Sequence, residues 1–96
     1  MGYGPDKASV YRFAMIRYFF DTRDDDQLIT DDVGLECHNL EMVKVQATTS
    51  LAELARDILP GSARRHLRVD VRDQDGRPVM ILELTFEARI LLADAP

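Results

Sequence analysis

A chain of 96 residues, 46% hydrophobic and 30% charged, is the composition of one small globular domain. Its net charge of -5 excludes the broadly basic surface that displaces counterions from nucleic-acid phosphates. No run of roughly 18 to 20 apolar residues is available to span a membrane, because the longest candidate, Ala8 to Phe20, is broken by Arg12 and Arg17. The charge also has an address: between residues 21 and 32 six aspartates face only Arg23, which accounts for all of the -5, and the remainder of the chain balances.

Residues 1–14 carry two glycines and a proline without a sustained period and read as a flexible extension. The start lacks the charged, apolar and small-residue segments of a secretory signal. Cys37 is the single cysteine, so no intrachain disulfide can form, and the expected location is a reducing cytoplasm. Residues 15–90 are expected to form the domain and 91–96 a tail.

Met15 to Thr22 alternates Ile16, Tyr18 and Phe20 with Met15, Arg17 and Phe19, which predicts a strand. Aromatic residues on both of its faces place it inside a sheet. The run Arg23-Asp24-Asp25-Asp26 predicts a turn into a short β-prone segment, Gln27 to Thr30. After Asp31-Asp32-Val33-Gly34, the residues Val33, Leu35 and Cys37 alternate with polar neighbours in a short extended stretch. Asn39 then offers a helix N-cap, followed by Leu40, Val43, Ala47, Leu51, Leu54 and Ile58 on one helical face. Pro60-Gly61 ends that helix, the glycine taking the left-handed cap conformation.

Leu67, Val69 and Val71 alternate with Arg68, Asp70 and Arg72 in a half-buried strand. Asp73 to Arg77 is a hairpin loop with Gly76 at a positive-φ position, and Val79 to Glu87 is the return strand. The order β-β-α-β-β predicts an α+β fold of two layers. A four-stranded, mainly antiparallel sheet would carry one helix of about 20 residues, ~30 Å long, on one face. The stretch before the helix could add a further short strand. At this size self-association is expected to cover a sheet edge or face, which makes a homodimer the expected state.

Candidate chemistry is sparse. The aspartate run lacks the glycine and bidentate glutamate of a calcium loop, and Asp73-Gln74-Asp75-Gly76 is accounted for by hairpin chemistry. Cys37 and His38 point to opposite faces of an extended chain, and the other histidine is His66, so no metal site is expected. Cys37 reads as a small buried hydrophobe; a Cys37–His66 nucleophile pair would require the two to converge in a pocket. No phosphate loop, nucleophile elbow or metalloprotease signature is present, and neither a catalytic residue nor a cofactor is expected.

One basic segment remains, with Arg64, Arg65, His66, Arg68 and Arg72 forming the one candidate interaction surface. Its arginines are expected chiefly to pair across strands, Arg68 and Arg72 with Glu83 and Glu87, at ~0.2–1 kcal/mol per pair.

Met15-x-Arg17-Tyr18-Phe19-Phe20-Asp21, Asp31-Asp32-x-Gly34-x-Glu36, Ser50 to Asp57 and Val71-Arg72-Asp73-x-Asp75-Gly76-Arg77-Pro78-Val79 together resemble an uncharacterised family of small proteins abundant in rhizobia, methylobacteria and related alphaproteobacteria. The resemblance covers residues 15 to 87 and implies a source but no activity. In strand order and texture over about 45 residues the chain also resembles HicB-type antitoxin domains. The expectation is therefore a non-catalytic domain that acts through protein contacts in regulation. The alternative is an antitoxin-like partner that binds a toxin or nucleic acid through the basic strand.

Overall fold

In the computed structural model, which describes residues 15–92, the chain forms β1 (Ile16–Asp24), β2 (Gln27–Ile29), β3 (Leu35–Cys37), α1 (Leu40–Ile58), β4 (Arg64–Asp73) and β5 (Pro78–Glu87). The expected extension at residues 1–14 and the end of the tail, residues 93–96, lie outside the described residues.

The fold is α+β with an antiparallel sheet of five strands, correcting the expectation of four. Its path is β2-β1-β4-β5, and β3 also pairs with β1. Both short strands use the same edge of β1: β2 covers Thr22 to Asp24 and β3 covers Ile16 to Tyr18, while β4 holds the other edge from Tyr18 to Asp24. β1 is therefore interior, as its two-sided aromatic pattern implied. The first turn is tighter than expected. Arg23 and Asp24 belong to β1, and the reversal falls on Asp25 and Asp26, with Asp25 at φ 54°.

α1 packs over β1, β4 and β5 because its apolar period meets theirs. Val43 and Ala47 are fully buried against Tyr18, Val69 and Val71, and each buried Val or Leu side chain contributes roughly 1.5–3 kcal/mol. Asn39 caps the helix, its Oδ1 accepting from the Met42 N–H at 2.9 Å; such a cap contributes about 1 kcal/mol. Leu40, expected on the buried face, is 54% exposed because it begins the first turn, beyond the sheet's cover. The left-handed glycine cap is corrected too. The helix closes through a 3-10 turn, Leu59–Gly61, and Ser62 satisfies the last carbonyls, its N–H donating to the Leu59 oxygen and its hydroxyl to the Ile58 oxygen. Gly61 has no need of a positive φ.

Candidate functional site

The face of the sheet turned away from α1 carries alternate residues of β1, β4 and β5. The register sets Asp21 opposite Asp70 and Arg23 opposite Arg68, and like charges directly opposite destabilise a sheet. The diagonals resolve this. Arg72 Nε donates to Asp21 Oδ2 at 2.8 Å, and Arg23 Nε donates to Asp70 Oδ2 at 3.1 Å. Arg68 Nε donates to Asp70 Oδ1 at 2.9 Å, and its guanidinium also lies 3.7 Å from Glu83. Asp21 is buried, so its pairing with Arg72 is partly desolvated and stronger than a surface ion pair. The Arg72 guanidinium also lies 4.6 Å from the Phe19 ring centroid, a cation–π contact.

Asp31 ties this lattice to the β1 edge. β2 and β3 leave a gap between them, and there the Phe20 N–H donates to Asp31 Oδ2 at 3.0 Å, so a side chain replaces the missing strand. Asp31 Oδ1 accepts from the N–H groups of Val33 and Gly34, the Asp31 N–H donates to Asp21 Oδ1, and Arg72 donates to the Asp31 carbonyl. Burial disfavours the charged Asp31 carboxylate, but the three N–H donors and nearby Arg72 outweigh it and hold the carboxyl below its ordinary value. Gly34 closes the loop at φ 76°. A β-carbon there would lie 2.8 Å from the Tyr18 carbonyl oxygen and 2.9 Å from the Phe19 ring, so both conformation and space require glycine.

The five residues of the candidate basic surface do not share a face. His66, Arg68 and Arg72 lie on the open face, whereas Arg65 turns to the helix side and forks onto Asp24 at 2.6 and 3.0 Å. Arg64 pairs with Glu87 at 3.1 Å, and His66 lies 3.7 Å from Glu83. Arg68 thus reaches Glu83 as expected, but Arg72 takes Asp21 in place of Glu87. The β4–β5 register sets Glu87 opposite Arg64 and Arg72 opposite Pro78. Cys37 is 1% exposed, packs with Val43 on the helix side, and burial pushes its thiol up. His66 is on the opposite face, so the pair required for a thiol nucleophile does not converge.

A second kind of surface lies beside α1. Two clefts, of about 460 Å³ and 290 Å³, run between α1 and the β2/β3 edge and share Leu35 and Gln46. Phe20, Ile29, Met42 and Val45 give this seam its apolar walls, and Asp32 and Glu41 line it with carboxylates. Ile29 and Val45 are 60% and 62% exposed. Sequence periodicity missed the seam because Met42 and Val45 fall outside the helical face that meets the sheet. The available signal was their presence on a helix whose core stripe was already complete.

Among the described residues no helix is long and apolar enough to cross a membrane. No curated protein matches the chain, and no solved structure does. Residues 17–85, from Arg17 at the start of β1 to Thr85 near the end of β5 and so including every strand and the helix, match a family described as a domain of unknown function, and the chain belongs to that family, DUF6894.

Proposed function

We propose that this domain acts without catalysis, as a cytoplasmic module that binds a segment of a partner protein in the seam between α1 and the β2/β3 edge and that also self-associates. The carrying observation is the continuity of the two clefts through Leu35 and Gln46 beside strands whose outer edges are unpaired among the described residues. An extended peptide fits such a place by adding to the sheet edge and seating alternate side chains in the apolar walls. Charge complementarity sets its chemistry. Asp24, Asp21 and Asp25 are engaged by arginines of β4, while Asp32 and Glu41 make no ion pair among the described residues. The ligand is therefore a segment of apolar residues interspersed with Lys or Arg.

The test is selection of random twelve-residue peptides displayed on phage against the full chain, followed by titration of the enriched peptides. Enrichment of apolar sequences bearing Lys or Arg, with binding weakened about tenfold or more by Val45→Lys, supports the reading. Enrichment of acidic sequences, or binding indifferent to Val45→Lys, overturns it.

The antitoxin-like alternative would hold a toxin or nucleic acid through Arg64, Arg65, His66, Arg68 and Arg72. Its arginines would have to exchange carboxylates already within 2.6–3.1 Å for phosphates. That exchange gains little net charge, which favours the seam.

A further inference from the structure

We infer that the outer edge of β5, continued by the tail Ala88 to Leu92, pairs antiparallel with the same edge of a second copy about a two-fold axis at Phe86. This gives the proposed self-association a surface, and it is independent of peptide binding in the seam.

β5 ends the sheet path and, among the described residues, is unpaired on its outer side for ten residues, with proline only at its first position. Monomeric sheets blunt such edges with proline, lysine or bulges; here the bulge lies at the far end, between Val71 and Arg72 of β4. Its outward hydrogen-bonding groups can be assigned. The Ala88 N–H donates to the Ala63 carbonyl at 2.8 Å. Antiparallel alternation then turns the amides of Phe86, Leu84 and Leu82 toward β4 and those of Ile81, Glu83, Thr85 and Glu87 outward.

The side-chain pattern outruns the strand. β4 begins at Arg64, opposite Glu87, so β5 stops there for want of a partner. Yet Ala88, Ile90 and Leu92 continue the apolar row of Met80, Leu82, Leu84 and Phe86 at the same period of two. Ile90 and Leu92 are 72% and 74% exposed. The β5 row itself is only half-buried, whereas Leu67, Val69 and Val71 of β4 are fully covered.

A two-fold axis at Phe86 sets Leu84 opposite Ala88 of the second copy, Leu82 opposite Ile90 and Met80 opposite Leu92. On the other face it sets Glu83 opposite Arg89, twice by symmetry. Arg89 makes no ion pair with another described residue. The registers displaced by one step along the same face are worse: one opposes Glu83 to Glu87, the other opposes Glu87 to itself. The chosen axis also covers the shallow apolar groove of about 630 Å³ at Ala52, Ala55, Leu59, Leu84 and Phe86.

Sedimentation velocity of the full chain over a range of concentrations decides the matter. The wild type is expected to dimerise. Glu83→Arg and Arg89→Glu should each weaken the dimer about tenfold or more, and the double exchange should restore it to within about threefold, because the opposed charges are only inverted. Thr85→Pro removes an outward N–H that β4 does not use, and should abolish the dimer while the circular dichroism of the fold is retained. A dimer indifferent to Arg89→Glu and Thr85→Pro overturns the β5 surface while leaving self-association standing. A monomer at hundreds of micromolar overturns both.

Discussion

The open face of the sheet and the seam beside α1 are built in opposite ways. The open face is rich in charge but closed on itself: Asp21, Asp70 and Glu83 are each matched by an arginine. The seam is poor in ion pairs and leaves apolar side chains and sheet edges uncovered. A dense row of charged residues therefore marks a structural lattice here, and the proposed interaction surface is the one where charge and apolar groups remain unmatched. Asp31 belongs to both regions, since its carbonyl accepts from Arg72 while its carboxylate shapes the loop at the seam's wall.

The largest effect is expected at Gly34, which joins the lattice to the seam. Gly34→Ala forces a β-carbon against backbone at positive φ and is expected to cost about 2–4 kcal/mol, read as a lowered midpoint in urea unfolding. An unchanged midpoint would show that the loop between lattice and seam is not fixed as described. Next comes Arg72→Met, which leaves buried Asp21 without its guanidinium and should cost about 1–3 kcal/mol in the same assay. A cost near zero would put Arg72 among ordinary surface arginines.

Acid acts on the shared residue. Because the folded Asp31 carboxyl lies below its ordinary value, its contribution is fully present above about pH 4 and is lost as pH falls through the folded value. Urea midpoints measured from pH 6 down to pH 3 should therefore fall, and Asp31→Asn should flatten part of that fall. Smaller still is Arg64→Ala. Its ion pair is exposed, and the expected loss is below about 0.5 kcal/mol; a larger loss would extend the structural lattice to its solvent-facing end.

The sequence made the helix and the β4–β5 hairpin legible because their determinants are local. Asn39 caps what Val43 and Ala47 begin, and Asp73 closes its own loop by accepting from the N–H groups of Asp75 and Arg77. The fifth strand was half legible: Leu35 and Cys37 alternate, but their partner lies about twenty residues upstream. The roles of Asp31 were not legible, because they depend on β2 and β3 returning to one edge of β1. The pairing of Arg72 with Asp21 was hidden for the same reason. Those residues are 51 positions apart and meet only through the β1–β4 register. The seam left no periodic trace, since Val45 lies beside the stripe that packs the core.

Backbone amide chemical-shift mapping with a selected apolar and basic peptide distinguishes the seam from the open face as the binding surface. Binding in the seam predicts shifts concentrated at Ile29, Leu35, Val45 and Gln46, with Arg68, Asp70 and Arg72 unmoved. Shifts concentrated on Arg68, Asp70 and Arg72, with the seam silent, would contradict it.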